Sequence, residues 1–435
     1  MARISLEPLR GMRDYIPPES EELSYIESTF AETARLFGYR EVRPPTVERF
    51  ELFALKSGEE IRRSMYVFKD KAGREVALRP ELTPSVVRIY LRELTAHPKP
   101  IRLYYIGSVF RYDEPQMGRY REFRQGGVEI LGADSLYHDI ELVWLLEEFY
   151  DRIGLRNRVY KVNNMAIPKK LAYSAKLSDE EVDTFLHLLD KAMFDKALEM
   201  LENRGAVREA EALRALTEYR RIESVSELEK ALNRISEIYP ELVEELQTLA
   251  KYFEEIRRLG VNAYIDLSFA RGIAYYTGIV FEVQVPELPI SIAGGGRYDN
   301  LTKVYGGPEL RLTGFAIGIE RTLLALKRQS VEIPIKPCQV MAVVIGFERL
   351  NAVRELIDQV RRRGICVQLE VVESPKRLSR VLDYASRMGF ERVLIVGARE
   401  LEKGVAVVRD MRRWEQREVP LNEVAEVLSD GARAC

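Results

Sequence analysis

Residues 119–132 read Arg-Tyr-Arg-Glu-Phe-Arg-Gln-Gly-Gly-Val-Glu-Ile-Leu-Gly, and residues 267–278 read Leu-Ser-Phe-Ala-Arg-Gly-Ile-Ala-Tyr-Tyr-Thr-Gly. Both stretches place charged side chains on segments whose other residues are typical of buried strands. A buried charge without a partner is costly and is seldom retained. The two stretches therefore indicate a folded core that holds something charged.

The size of the chain predicts two or three domains, because its 435 residues exceed what one hydrophobic core normally holds. The hydrophobic fraction of 46% is typical of a soluble globular protein. The apolar runs are far shorter than the roughly 20 residues that a membrane span needs. The amino terminus lacks the apolar stretch of a secretory signal. We therefore expect a cytoplasmic protein that does not cross a membrane.

The charge balance and the cysteines exclude two classes of protein. Sixty-six basic residues and 68 acidic ones give a net charge of -2, which excludes a polycation that binds nucleic acid through bulk charge. Cys338, Cys366 and Cys435 lie far apart and lack metal-ligand spacing, and the three histidines are scattered. Neither a disulfide framework nor a metal site is therefore expected.

The first part of the chain mixes strand and helix patterns. Apolar residues recur at helical spacing over residues 21–36, and a hairpin is predicted over residues 64–78. Further strands are expected at residues 101–109, 121–131 and 280–285. This pattern predicts a domain built on a mixed sheet.

Two changes in composition and periodicity divide the rest of the chain. Residues 168–258 are rich in Leu, Glu, Lys and Ala at helical period and predict a helical insertion, so the first domain is expected to span residues 1–326. Residues 327–338 contain two prolines and predict a linker. Residues 339–435 alternate strand and helix, which predicts a small α/β domain with a mostly parallel sheet.

The sequence offers few ways to hold a phosphate other than arginine. It contains no P-loop, and the glycine triplet at residues 294–296 is more typical of a close approach between backbones than of a phosphate loop. Arginine gives permanently charged, bidentate contact to phosphate or carboxylate oxygens. The arginines that lie in or beside apolar patterns are Arg111, Arg119, Arg121, Arg271 and Arg321.

Acceptor groups complement these arginines. Glu81, Gln125 and Glu129 supply two carboxylates and an amide, and the spacing of four between Gln125 and Glu129 places both on one face of a strand. Such a set suits a zwitterionic substrate beside a polyphosphate. A structural network of ion pairs is the alternative.

The chain resembles class II aminoacyl-tRNA synthetases in segments spread over nearly its whole length, and residues 271–278 resemble the signature of the histidyl-tRNA synthetase family. The matching segments are residues 10–14, the motif 1 proline Pro45, and residues 79–83, 110–111, 119–123, 295–299 and 314–321. The resemblance implies an α+β catalytic domain built on an antiparallel sheet, with a helical insertion, and a C-terminal α/β anticodon-binding domain.

The resemblance also implies an activity. Histidine and ATP would give histidyl-adenylate and pyrophosphate, and the histidyl group would then pass to the 3′ end of tRNA(His). Arg111 is implied at the α-phosphate, and Arg321, with Arg119 or Arg121, at the outer phosphates. Arg271 is implied between the histidine carboxylate and the α-phosphate. Mg²⁺ is expected with the ATP, and no permanently bound cofactor is expected.

The histidine site is implied in the same way. Glu81, Thr83 and Gln125 are expected at the α-ammonium group, and Glu129 with Tyr276 at the imidazole. The remaining members of the expected histidine site are Arg271, Tyr275 and Tyr298. The resemblance further implies a homodimer, since motif 1 packs across a twofold axis in this family.

Several positions depart from the family pattern, among them Ala274 and Glu114, and one other function competes. Ala274 replaces a frequent aspartate, and Glu114 replaces an arginine that could contact the extra 5′ guanosine of tRNA(His). The alternative function is that of a histidine-binding regulatory subunit of ATP phosphoribosyltransferase, which does not charge tRNA. Such paralogues generally lack the anticodon-binding domain and the arginine motifs, and this chain retains both.

Overall fold

The computed structural model describes residues 5–54, 64–271, 275–335 and 338–429. Contacts within the chain divide it into two units, Met1–Ile333 and Pro334–Cys435. Ala274, which departs from the family pattern, lies outside the described residues. Among the described helices, none is long and apolar enough to span a membrane.

The described residues of the first unit form eleven strands and most of the helices. In chain order they are α1 (Glu19–Leu36), β1 (Arg40–Glu41), β2 (Val47–Arg49), α2 (Glu51–Ala54), β3 (Val67–Lys69), β4 (Glu75–Leu78), α3 (Thr83–Ile89), β5 (Ile101–Phe110), β6 (Glu122–Leu131), α4 (Leu136–Arg152), β7 (Val159–Asn164), α5 (Ala166–Ser174), α6 (Asp179–Asp190), α7 (Phe194–Glu202), α8 (Val207–Glu218), α9 (Val225–Ile238), α10 (Val243–Arg258), β8 (Ala263–Ile265), β9 (Ile279–Gln284), β10 (Ala293–Arg297), α11 (Leu301–Val304), β11 (Leu312–Gly318) and α12 (Ile319–Arg328).

An eight-stranded sheet with the order β1-β5-β6-β11-β10-β9-β7-β8 forms the centre of this unit. Its six inner strands pair antiparallel, and only the edge pairs β1/β5 and β7/β8 are parallel. The long strands β5 and β6 pair from Ile101↔Leu131 to Phe110↔Glu122. The antiparallel sheet expected from the family resemblance is therefore confirmed. A smaller sheet has the order β2-β4-β3.

The two faces of the sheet differ at strand β6. One face packs against α1, and the other face is open. Gly126 faces α1, where the ring of Phe30 leaves no room for a side chain. Phe30 also packs edge-on against Phe149 of α4, with ring centroids 5.4 Å apart. Gln125 and Glu129 point to the opposite face and line a cavity. The alternation of a strand thus puts Gln125 and Glu129 on the face opposite α1, whereas Arg124 lies on the helix side and pairs with Glu27 of α1.

The second unit is a five-stranded sheet with helices. Its elements are β12 (Val340–Ile345), α13 (Leu350–Arg362), β13 (Val367–Val372), α14 (Leu378–Arg387), β14 (Arg392–Val396), α15 (Ala398–Glu402), β15 (Val405–Asp410), β16 (Gln416–Pro420) and α16 (Val424–Ser429). The strand order is β13-β12-β14-β15-β16. The three strands β13, β12 and β14 are parallel as expected, but β15 and β16 add an antiparallel hairpin that the sequence analysis did not predict.

The expectation about the cysteines was wrong, because Cys338 and Cys366 form a disulfide with a Cα–Cα distance of 5.0 Å. The two residues lie 28 positions apart in the sequence. Cys338 precedes β12 and Cys366 precedes β13, and these strands are parallel neighbours. The starts of parallel neighbours lie at the same edge of a sheet, so the fold brings the two thiols together.

Candidate active site

A cavity of about 1020 Å³ opens on the face of the large sheet that carries Gln125 and Glu129. The predicted site residues that line it are Glu81, Thr83, Arg111, Arg119, Gln125, Glu129, Arg271, Tyr275, Tyr276, Tyr298 and Arg321. Segments far apart in the sequence therefore meet in one place, as the resemblance implies.

Glu129, which lines the cavity, is the centre of a buried hydrogen-bond network. Its side chain is 2% exposed. The hydroxyl of Thr83 donates to Oε1 at 2.6 Å, and that of Tyr105 donates to the same oxygen at 3.1 Å. Tyr298 donates to Oε2. Burial raises the pKa of Glu129 to about 8, although the Thr83 and Tyr105 hydrogen bonds oppose the shift.

A glycine on the neighbouring strand makes room for this network. A Cβ placed at Gly314 on β11 would overlap Oε2 of Glu129 and would lie within 2.8 Å of the Tyr298 hydroxyl. Gly314 pairs with Glu129 across the sheet. The glycine is therefore required for the close approach of carboxylate, phenol and backbone.

A second carboxylate lies beside this network. The hydroxyl of Tyr275 donates to Oε2 of Glu81 at 2.9 Å. Burial raises the pKa of Glu81, and the positive charge of Arg111 acts in the opposite direction. The Tyr275 ring packs against Tyr276 at 5.4 Å and against Tyr298 at 5.6 Å between centroids. Glu81 thus offers a negative charge in a pocket walled by aromatic rings.

Arg271 has an unusual environment for an arginine. Its Nη1 donates to Oε1 of Glu282 at 3.1 Å and to the carbonyl of Phe281 at 3.4 Å. Its Nε is buried and lacks a hydrogen-bond partner among the described residues. The guanidinium carbon lies 5.7 Å from the centre of the Tyr276 ring. A buried N–H without an acceptor is costly, so this donor is available for a ligand in the cavity.

The glycine triplet explains how Arg271 fits. The triplet lies in β10, in the middle of the sheet, and is not a phosphate loop. A Cβ at Gly294 would overlap Nη1 of Arg271. The close approach that the sequence analysis favoured is therefore between this backbone and a functional side chain.

Arg321, Arg111 and Arg119 form a cluster of positive charge in the same cavity. Arg321 is held by hydrogen bonds of 2.9 Å from Nε to the carbonyl of Gly118 and of 2.9 Å from Nη1 to the carbonyl of Ser291. Burial and the charges of Arg111 and Arg119 lower the pKa of Arg321 to about 10. Cations held this close repel one another, and an anion that binds between them relieves the repulsion.

Arg121 is not brought to the cavity. Its Nε donates to the carbonyl of Asp113 at 3.1 Å, and its guanidinium lies 4.0 Å from the centre of the Tyr112 ring. Arg119 and Arg121 diverge because Arg119 lies in a tight turn, bridged to Gln116, before β6 begins. The regular alternation of a strand therefore does not apply to this pair.

Sequence reasoning missed two residues of the site. Tyr105 of β5 donates to Glu129, and Glu282 of β9 pairs with Arg271 and accepts a hydrogen bond of 2.8 Å from the Ser291 hydroxyl. Each lies on a strand that the sequence analysis predicted, among apolar neighbours. The signal that could have found Glu282 was a lone carboxylate in the apolar run at residues 279–283.

Comparison with known proteins gives a consistent assignment. Residues 11–322 match the family described as Histidyl-tRNA synthetase, and residues 338–430 match the family described as Anticodon binding domain. A histidine-tRNA ligase from Sulfolobus acidocaldarius is 42% identical over 97% of this chain and 98% of its own length.

The fold is shared with solved structures, including the following two. An apo histidyl-tRNA synthetase from S. aureus is 26% identical, with a TM-score of 0.68 over 97% of this chain and 99% of its own. A Bacillus halodurans protein described as an ATP phosphoribosyltransferase regulatory subunit/histidyl-tRNA synthetase is 22% identical, with a TM-score of 0.73 over 91% of this chain and 99% of its own. At 22% identity, the likeness to the Bacillus halodurans protein shows a shared fold only. With the family matches and the 42% identity over nearly the whole length, the chain belongs to the histidyl-tRNA synthetase family.

Proposed function

We propose that the protein is a histidine-tRNA ligase, which activates L-histidine with ATP and transfers the histidyl group to the 3′ end of tRNA(His). The observation that carries the proposal is one cavity lined by two chemically different groups. A buried carboxylate with aromatic neighbours and a cluster of arginines both line it. An amino acid with a polar ring fits the first group, and the phosphates of ATP fit the second.

The imidazole of histidine binds beside Glu129 in this proposal. The ionised carboxylate accepts the N–H of one ring nitrogen, and the phenol of Tyr276 faces the other nitrogen. An isostere without these polar atoms would leave buried groups unpaired, which is how a site rejects a close analogue strongly. Glu81, together with Thr83 and Gln125, binds the α-ammonium group.

The phosphates of ATP bind among the arginines. Arg111 holds the α-phosphate, and Arg119 with Arg321 holds the outer phosphates. We assign this role to Arg119 rather than to Arg121, because Arg119 lines the cavity and Arg121 stacks on Tyr112 outside it.

Arg271 stabilises the charge that develops during adenylate formation. The histidine carboxylate attacks the α-phosphorus, the bond to the bridging oxygen of pyrophosphate breaks, and negative charge grows on the phosphoryl oxygens. Such a reaction depends on positioning and positive charge more than on a general base. Arginine does not deprotonate in proteins, so its contribution is electrostatic.

The site also fits the Mg²⁺ that accompanies ATP. Mg²⁺ usually takes one or two carboxylates together with phosphate oxygens and water. Glu282 is the carboxylate next to Arg271, and the described residues contain no cluster of three metal-binding side chains that would form a site of their own. When bound, the ion would neutralise phosphate charge, with Glu282 as its protein ligand.

The arginine assignment predicts a contrast between two substitutions. Arg321→Ala should raise the KM for ATP in pyrophosphate exchange by about 10- to 100-fold, because a charge-assisted contact to phosphate is lost. Arg121→Ala is the matched control and should change this KM by less than about 3-fold, because its guanidinium stacks on Tyr112 and does not line the cavity. Steady-state exchange kinetics at varied ATP concentration measure both. Equal effects of the two substitutions would contradict the assignment of the outer-phosphate site.

We also propose that the protein forms a homodimer in the cytoplasm. Leu36 at the end of α1 is 63% exposed, and Trp144 of α4 is 48% exposed and packs against Phe37 at 5.6 Å between ring centroids. Exposed apolar side chains of this size are typical of interfaces.

Sedimentation equilibrium should give about twice the chain mass of 50.2 kDa. Leu36→Asp combined with Trp144→Glu should shift the protein toward the monomer. A single-chain mass for the unmodified protein at micromolar concentration would contradict the proposal.

Charging of a tRNA(His) transcript with labelled histidine tests the proposed function as a whole. The expected result is histidyl-tRNA that depends on ATP. The alternative, a regulatory subunit that binds histidine without charging tRNA, predicts no labelled tRNA at any enzyme concentration.

A further inference from the structure

The backbone that carries Arg271 has no regular secondary structure. It continues from β8 after Ile265, and residues 266–271, which we call the Arg271 segment, form neither helix nor strand. Residues 266–270 are nevertheless buried. Buried backbone groups outside a helix or a sheet need other hydrogen-bond partners, and side chains commonly provide them. The position of Arg271 therefore depends on the side chains that bind this segment.

Asn163 of β7 binds the part of the segment that is next to Arg271. Its Nδ2 donates to the carbonyl of Phe269 at 2.6 Å and to the carbonyl of Leu267 at 3.3 Å. Asn163 is fully buried and does not line the cavity. Phe269 precedes Arg271 by two positions, so the amide fixes the backbone from which the guanidinium extends.

Other groups hold the beginning of the segment. Nζ of Lys161, two residues before Asn163 on β7, lies 3.0 Å from Oδ2 of Asp266. Oδ1 of Asp266 accepts from the backbone N–H of Ser268 at 3.0 Å and from its hydroxyl at 2.6 Å. Residues two apart on a strand share one face, so a single face of β7 binds both parts of the Arg271 segment.

We propose that Asn163 is a positioning residue for adenylate formation. Its amide holds the backbone at Leu267 and Phe269, so that the guanidinium of Arg271 is in place beside Glu282 before the substrates bind. Electrostatic stabilisation needs such preorganisation, because a displacement of about 1 Å can lower a rate by about 100-fold. The inference rests on the proposed function and adds to it a residue that acts through Arg271 rather than on histidine or ATP.

The next residue, Asn164, is a matched control. It is 4% exposed, and its side chain also makes two hydrogen bonds. Its Nδ2 donates to the carbonyl of Glu245 in α10, and its Oδ1 accepts from the N–H of Ala166 in α5, both at 3.0 Å. Successive side chains of a strand point to opposite faces, so Asn164 faces away from the Arg271 segment.

The experiment compares Asn163→Ala with Asn164→Ala in the full-length protein. Each substitution removes a buried amide with two hydrogen bonds, so the Tm should fall in both variants, and exchange is measured below both Tm values. Asn163→Ala should lower the kcat of histidine-dependent pyrophosphate exchange by about 10- to 100-fold, while the KM for ATP changes by less than about 3-fold. Asn164→Ala should change kcat by less than about 3-fold, because it leaves the Arg271 segment in place.

A double-mutant cycle shows whether the effect passes through Arg271. In the Arg271→Ala background, Asn163→Ala should lower exchange by less than about 3-fold, because no guanidinium remains to be positioned. Asn163→Asp keeps the volume of the side chain and tests the hydrogen bonds without creating a cavity. A carboxyl group cannot donate to both carbonyls, so kcat should again fall by about 10-fold or more.

Three results would overturn the proposal. The first is an unchanged kcat in both Asn163 variants. The second is an equal loss of kcat in Asn163→Ala and Asn164→Ala, which would indicate general damage to β7. The third is an undiminished effect of Asn163→Ala in the Arg271→Ala background, which would show that the effect bypasses Arg271. Failure of the proposed function has a different signature, because the unmodified protein would then show no exchange with histidine, and the proposal would fall with it.

Discussion

Replacing Arg271 by alanine is expected to lower histidine-dependent pyrophosphate exchange by about 10³-fold, since removing one preorganised donor to a developing negative charge has an effect of this order. The loss should fall mainly on kcat, because the interaction strengthens as charge develops in the transition state. Single-turnover formation of the adenylate isolates the chemical step. Normal exchange in this variant would contradict the electrostatic role.

The fold should survive this substitution. Glu282 would lose its ion pair with Arg271 but would keep the hydrogen bond from the Ser291 hydroxyl at 2.8 Å.

Two control variants refine the test of the electrostatic role. Arg271→Lys retains the positive charge but lacks the planar guanidinium with its paired donors, so a partial loss of exchange activity is expected. Gly294→Ala leaves Arg271 in the chain but places a methyl group against Nη1, so it should lower exchange without altering the chemistry of any side chain in the cavity.

Replacing Glu129 by alanine is expected to have the second largest effect. The KM for histidine should rise by about 10- to 100-fold, because a hydrogen bond to a buried charged group is lost. The hydroxyls of Thr83, Tyr105 and Tyr298 would also lose their common acceptor. The KM for ATP should change by less than about 3-fold, since the phosphates contact the arginines in this proposal and Glu129 makes no hydrogen bond with those arginines. Equal losses for histidine and ATP would count against this assignment.

The pH dependence of histidine binding gives a further check on Glu129. Burial raises its pKa to about 8, so the free protein holds the side chain protonated below that pH. The ionised form accepts the ring N–H more strongly than the protonated form, so the KM for histidine should fall as the pH rises toward 8. The imidazole of the substrate titrates near 6.5 in every variant. The side chain of the Glu129→Gln variant cannot ionise, so its KM for histidine should show no change with pH near 8. The difference between the two proteins isolates the contribution of the carboxylate.

The sequence predicted most of the elements that form the site. Residues 122–131 form a strand close to the predicted limits, and the spacing of Gln125 and Glu129 places both side chains in the cavity. The alternation of side chains along a strand was sufficient to predict these positions, because one face of the strand packs on α1 and the other is open. The roles of the arginines came from the family resemblance, since charge alone does not distinguish a phosphate site from an ion-pair network.

Other features depend on contacts between distant segments, which a single sequence does not encode locally. The Cys338–Cys366 disulfide follows from the pairing of β12 with β13. Tyr105 lies among apolar residues of β5, and only the pairing of β5 with β6 brings its hydroxyl to Glu129. Arg119 and Arg121 looked equivalent, and only the turn before β6 separates them. The β15–β16 hairpin was missed because its outer strand is mostly exposed and lacks a strong apolar pattern.

Histidine-dependent exchange of labelled pyrophosphate into ATP, measured with the purified protein beside the other amino acids, tests the central claim most directly. We predict exchange with histidine and with no other amino acid, because only the imidazole matches the buried carboxylate and phenols around Glu129. Histidine binding without exchange would contradict the claim. The arginine cluster would then be a ligand site of a regulatory protein rather than the catalytic centre of a ligase.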